Sequence, residues 1–138
     1  YIIAEIGINH NGSMDHAKKL IHQAYKSRCH AVKFQKRNPD VCVPEHQKGV
    51  MRDTPWGRMT YLEYKYKVEF GKEEYDEIDR YCKKRGIEWS ASPWDMDSLE
   101  FLMQYDSINE QYFNNILLKQ GYYNYQYIIP LSTKENIL

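Results

Sequence analysis

Apolar residues fall first in a short continuous run, then at helical spacing, and this alternation repeats along the chain. Ile2, Ile3, Ala4, Ile6 and Ile8 read as a buried strand, with Glu5 its one charged position. Asn9-His10-Asn11-Gly12-Ser13 carries turn chemistry, and Ser13 or Asp15 is placed to cap a helix. Ala17, Leu20, Ile21 and Ala24 then recur at i, i+3, i+4, i+7, one apolar stripe with Lys18, Lys19 and Lys26 mostly on the wet side. Ala31-Val32-Lys33-Phe34-Gln35 predicts a second strand, stopped by Asn38-Pro39-Asp40. Residues 38–71 read as a long irregular stretch, helical in part where Leu62, Tyr66 and Phe70 stand four apart. Residues 73–85 predict a helix with Tyr75, Ile78 and Cys82 on one face and Gly86 as its stop. A third strand spans 87–92 and ends at Pro93. Asp95 and Asp97 open a further helix that turns Leu99, Leu102 and Met103 inward.

From Ser107 the text changes to asparagines and tyrosines, with a short helix expected over 114–120 and a short strand over 127–131. Strand alternating with helix implies a parallel α/β protein with right-handed crossovers. Either a doubly wound sheet or a (β/α)8 TIM barrel has this pattern. A barrel needs at least ~200 residues, so 138 residues supply only about half of one, an incomplete barrel.

Composition narrows the function. Lys plus Arg is 19 and Asp plus Glu is 19, which argues against a partner recognised through its phosphate backbone, so no nucleic acid is expected. An apolar share of 42% with 28% charged residues belongs to a folded chain. No apolar run approaches the ~20 residues that span a bilayer, and no secretory leader is evident, so no membrane partner is expected. The chain opens on Tyr1, already inside an apolar run. Cys29, Cys42 and Cys82 are odd in number and lack CxxC spacing, which speaks against zinc ribbons and disulfides and for a cytoplasmic setting. The same cysteines have no histidine placed to activate them and read as packing residues.

Candidate chemistry lies where polar residues interrupt apolar strands. Glu5, Lys33, Ser90 and Ser92 do so, and Asn9, His10 and Gln35 stand at or just past strand ends, where parallel α/β folds gather their ligands. A carboxylate and an ammonium on neighbouring strands, with amide and hydroxyl donors, suit a phosphorylated or carboxylated small molecule. His10 with Glu5, or Glu45 with His46, is too small a set to name a metal centre, so no metal ligand is assigned. Gly7 and Gly12 form no GxGxxG or Walker pattern. Trp56, Tyr61, Tyr64 and Tyr66 can either stack on a sugar ring or pack their own loop.

Several ordered motifs resemble the sialic acid synthase (N-acetylneuraminate synthase) family. Ile3-Ala4-Glu5-Ile6-Gly7-Ile8-Asn9-His10-Asn11-Gly12-Ser13 is similar to that family's first strand and loop, and Ala31-Val32-Lys33-Phe34-Gln35-Lys36-Arg37 to its second. Thr54-Pro55-Trp56-Gly57 with Met59-Thr60-Tyr61-Leu62-Glu63-Tyr64-Lys65 resembles a loop of bacterial members, and Ala91-Ser92-Pro93-Trp94-Asp95 the third strand end. The resemblance implies that residues 1–106 are the first three βα units of a synthase barrel. Residues 107–138 are then a divergent tail that is only weakly family-like, without the small C-terminal antifreeze-like domain.

It also implies the chemistry. Phosphoenolpyruvate condenses with an N-acyl hexosamine, N-acetylmannosamine, to give a nonulosonic (sialic) acid and phosphate, in a cytoplasmic enzyme that is a homodimer at full length. By the same resemblance Glu5 is the catalytic acid, and Lys33, Gln35, Ser92, Asn9 and His10 bind substrate. A divalent metal (Mn or Mg) serves the full-length enzyme, its ligands lying outside this chain, and the segment by itself is expected to be inactive. A synthase of a related nonulosonic acid or of spore-coat polysaccharide, and a non-catalytic partial-barrel binding domain, are the alternatives.

Overall fold

The structure, a computed structural model, describes residues 1–105 and the backbone of residues 128–130. Strand β1 (Ile3–Gly7) leads through a tight loop to α1 (Met14–Lys26) and back to β2 (Ala31–Lys36). Ser13 caps α1 by accepting from the His16 N–H, and Ala17, Leu20, Ile21 and Ala24 are the buried stripe that the spacing predicts. Helix α5 (Lys72–Arg85) runs beside α1 and is tied to it by the Lys18–Glu77 ion pair. It buries Tyr75, Ile78 and Cys82 and stops at Gly86, whose φ of +72° is the left-handed cap. Strand β5 (Glu88–Pro93) and α6 (Met96–Leu102) follow, and β6 (Ile128–Pro130) joins the sheet beside β1.

The four strands are parallel in the order β5-β2-β1-β6. Ala4, Ile6, Val32, Phe34, Trp89 and Ala91 turn to the helix-covered face and form one core with the stripes of α1 and α5. Register puts Glu5 opposite Lys33 and Lys33 opposite Ser90, and Gln35 opposite Ser92, so these polar residues share the other face. A register shift between Glu5 and Gly7 ends the β1 ladder, with Gly7 at φ +56°.

Residues 38–71 are more ordered than the sequence suggests. Short helices α2 (Pro39–Cys42) and α3 (Glu45–Lys48) precede an antiparallel hairpin of β3 (Met51–Thr54) and β4 (Gly57–Thr60), then α4 (Tyr61–Val68). The hairpin escapes periodicity because its β3 residues are mostly exposed on both faces, so no apolar alternation marks it. Helix α4 is started by a reciprocal Thr60/Glu63 capping box. A second correction falls in α6: Met103 is 70% exposed, outside the helix end, while Phe101 packs on the core and Leu102 is buried. The helix expected over 114–120 lies outside the described residues.

Both ends of this 38–71 strap are fastened. At its start the Asp95 carboxylate, which caps α6, accepts from the Asn38 N–H (2.7 Å) and the Cys42 thiol (3.2 Å). Desolvation works against that carboxylate's charge, but the Asn38 and Ser98 amides and the Cys42 and Ser98 side chains hold it below the ordinary value. At its far end the strap meets the loop after β1, where the His10 ring stacks on Phe70 at 3.8 Å between centroids.

Gly12 permits that closeness. Its φ is +67°, and a Cβ there would stand 2.1 Å from the Lys67 carbonyl oxygen. Gly12→Ala is expected to destabilise the fold by about 2 kcal/mol or more, since both the left-handed backbone and the contact oppose it. Gly49→Ala, with ordinary φ and nothing within 4 Å, is the matched control and should shift stability little. Urea unfolding of the two variants beside the parent checks this; equal midpoints would remove the strap contact from the fold's essentials.

Candidate functional site

The polar row begins with an ion pair. Lys33 Nζ lies 2.8 Å from Glu5 Oε2, with the two side chains 15% and 19% exposed. Neighbouring parallel strands in register put these two Cβ atoms side by side, and partial burial makes each the necessary partner of the other. The second carboxylate oxygen, Glu5 Oε1, is buried and has no hydrogen-bond partner. It faces the space left by the missing side chain of Gly7, where a Cβ would stand 3.4 Å from Oε1 and 3.2 Å from Gln35 Nε2. An open acceptor, an ammonium and an amide therefore converge at the carboxyl ends of β1 and β2.

Ser92 lies opposite Gln35 at the end of β5, half-buried, and Ser90, opposite Lys33, is buried. Asn9 sits in the turn after β1, its N–H donating to the Ile6 carbonyl. The structure thus brings Glu5, Lys33, Gln35 and Ser92 to one end of one sheet face. His10 stands differently. It is 2% exposed, stacked on Phe70, and its Nδ1 accepts from the Gly12 N–H at 3.2 Å. Burial drives its pKa down to about 4, so the ring is neutral and holds the loop in place. The aromatic residues of the strap pack on themselves: Trp56 on Tyr64 and Tyr61 on Tyr64, while the Tyr66 hydroxyl donates to Asp40.

The thiols are held protonated. Burial pushes Cys82 up to about 12, and burial with the Asp95 bond pushes Cys42 up to about 11. Both are packing groups.

Sequence reasoning missed a second layer just beyond β2. Lys36 Nζ pairs with Glu69 Oε1 at 3.0 Å and donates to the Phe70 carbonyl at 2.8 Å. The Arg37 N–H donates to the same Glu69 oxygen at 3.2 Å. Burial raises the Glu69 carboxyl above its ordinary value against the pull of Lys36 and Arg37. The Arg37 guanidinium donates to the Gln35 side-chain oxygen and lies 4.2 Å from the centre of the Trp94 ring. A cleft of about 370 Å³ opens here, lined among others by Lys36, Arg37, Asn38, Tyr66 and Phe101. The one signal for it in the sequence is two consecutive cations directly after a strand; Glu69, more than thirty residues away, leaves no local mark.

No three His, Cys, Asp or Glu side chains converge as a metal centre among the described residues. The described residues therefore offer a divalent cation no fitting set of ligands. No helix among the described residues is long and apolar enough to cross a membrane.

Against known proteins, the model of the NeuB family matches residues 20–109. The chain is similar to the N-acetylneuraminate-9-phosphate synthase of Drosophila melanogaster, 42% identical over 104 residues covering 74% of this chain and 28% of that protein. To the Homo sapiens N-acetylneuraminate-9-phosphate synthase it is 38% identical over 106 residues, 74% of this chain and 29% of that one. The crystal structure of the N-acetylneuraminic acid synthetase of Leptospira borgpetersenii, in complex with citrate, superposes with a TM-score of 0.62 at 28% identity. That match covers 75% of this chain and 32% of the other. The chain thus spans under a third of the length of the relatives it matches.

The histidine gives a pH signature. Because folding lowers the His10 pKa, the unfolded chain binds more protons between its ordinary 6.5 and about 4, and stability falls as pH drops through that window. Below about 4 the full loss from this group is on the order of 3 kcal/mol. NMR titration of the His10 ring should give a midpoint near 4; a midpoint near 6.5 would place the ring in water.

Proposed function

The chain belongs to the NeuB family, and from that premise we propose that it is the opening segment of a synthase that condenses phosphoenolpyruvate with an N-acyl hexosamine to a nonulosonic acid and phosphate. The observation that carries the proposal is the Glu5–Lys33 pair with Glu5 Oε1 left open beside Gly7. The chemistry needs such groups. Carbon 3 of phosphoenolpyruvate forms a bond to the sugar's aldehyde carbon, whose oxygen takes up a proton. The cation left at carbon 2 takes a water, which gives up one proton on attack; the resulting hydroxyl passes its second proton to the departing phosphate as the C–O bond breaks, leaving a keto acid.

Glu5 Oε1, buried and unpartnered, is placed to accept the water's proton. Lys33 offsets the carboxylate and phosphate charge of phosphoenolpyruvate, and its bond to Oε2 fixes which Glu5 oxygen stays open. Gln35 and Ser92, paired across β2 and β5, supply an amide and a hydroxyl to substrate oxygens. Asn9 and the neutral His10 shape the loop over them. A sialic acid is the nonulosonic acid that best fits the relatives' names. Those names also specify a phosphate on carbon 9 of the product. Phosphoenolpyruvate contributes the first three carbons, so that phosphate enters on carbon 6 of the sugar, as an N-acyl hexosamine 6-phosphate.

In the intact synthase carrying this segment, Lys33→Ala should lower kcat/KM about a hundredfold, the effect of losing one charged contact of ~3 kcal/mol. Glu5→Gln, which keeps the shape and removes the base, should lower kcat by about 10² or more with a smaller change in KM. Phosphate release from phosphoenolpyruvate with N-acetylmannosamine or its 6-phosphate is the assay. Near-parental turnover in both variants would make the pair structural and remove this reading.

A further inference from the structure

Arg37 is a buried cation, 8% exposed, without an ion-pair partner among the described residues. Glu69 accepts from its backbone N–H and ion-pairs with Lys36, and reaches the guanidinium only through its field. Of the guanidinium nitrogens, one donates to Gln35, while Nε is buried with no hydrogen-bond partner at all. Leaving a charged donor both without an ion-pair partner and out of water is strongly disfavoured, so a fold that holds Arg37 this way leaves a place for an anion. The guanidinium carbon lies 4.2 Å from the centre of the Trp94 ring, a contact that positions the group. Arg37 and Lys36 line a cleft of about 370 Å³ together with the Glu69 and Asp97 carboxylates, so an anion entering it has to sit at the cationic side.

We propose that Arg37, set against Trp94 at this cleft, is the oxyanion subsite that holds the phosphate ester of a hexosamine 6-phosphate. The identity of the sugar rests on the synthase reading above; the anion subsite rests on the guanidinium itself. Placement supports the pairing. Lys33 and Arg37 stand four residues apart along β2 and its continuation, roughly 13 Å in extended chain. The sugar's two reactive ends are as far apart as its chain allows: the aldehyde carbon that joins phosphoenolpyruvate near Lys33, and the phosphate on carbon 6. Gln35 lies between them and bonds Arg37, so one side chain touches both halves of the site. No bond forms or breaks at Arg37; its part is to bind and to select a phosphorylated sugar over a free one.

The test uses the intact protein, labelled with ¹⁵N-arginine and titrated without phosphoenolpyruvate against N-acetylmannosamine 6-phosphate, N-acetylmannosamine and inorganic phosphate. The sugar phosphate should shift the Arg37 Nε–H resonance and bind at least tenfold tighter than either other compound by calorimetry. Arg37→Lys should weaken sugar-phosphate binding tenfold or more, with binding of free sugar unchanged. An unmoved Nε–H resonance in the parent protein would overturn the proposal, and needs no variant to fold. Equal affinity for inorganic phosphate would overturn the assignment to the sugar ester. Condensation is read separately, as keto-acid formation. If none occurs while Arg37 binds the sugar phosphate, the synthase reading alone fails; if it proceeds with free sugar at full efficiency, this proposal alone fails.

Discussion

Everything at the polar end of this sheet depends on the register of β1 against β2. Parallel strands expose alternate residues to opposite faces, and here one face is sealed by helices while the other carries charge. Sliding one strand by a single residue would set Lys33 among Ile21, Ile78 and Phe34's former neighbours and turn Phe34 toward the charged face. The cost of burying an unpaired ammonium in that core fixes the pairing more firmly than the ladder hydrogen bonds do. The Glu5–Lys33 contact is therefore both the result of the register and its guarantee.

Tyr75 carries that constraint into the core. It is wholly buried, touches Phe34, Trp89, Phe101 and Tyr105, and its hydroxyl donates to the Gln35 carbonyl at 3.1 Å. The backbone of Gln35 is thus held from the core side while its side chain works on the other. Burial and the nearby Glu69 charge keep the Tyr75 phenol far from ionising, which suits a group whose proton is committed to a carbonyl. A site residue anchored in this way has little freedom to drift.

Much of this was legible in the sequence because its signals are local. Charges inside short apolar runs marked Glu5 and Lys33, and the i, i+3, i+4, i+7 stripe gave α1 and its buried residues. What escaped is non-local or two-sided. The hairpin of β3 and β4 has no buried face to write an alternation. The Lys36–Glu69 pair and the unpartnered Nε of Arg37 exist only after the strap has folded back across β2. Met103 departs from its expected inward place because periodicity cannot tell where a helix stops: α6 ends at Leu102, and Tyr105 takes the inward place beyond it.

The strap's two fastenings have a consequence for how such a chain can vary. Asp95 grips it at Asn38, and His10 with Gly12 meets it at Phe70 and Lys67, so the stretch between hangs like a bridge from two piers. The hairpin tip at Pro55, Trp56 and Gly57 lies near the middle of that span in sequence and is exposed. Lengthening or shortening the tip would cost little loop entropy and would leave both anchorages unstrained. The hairpin can therefore be rewritten without disturbing the Glu5–Lys33 pair, to which its residues contribute no bond.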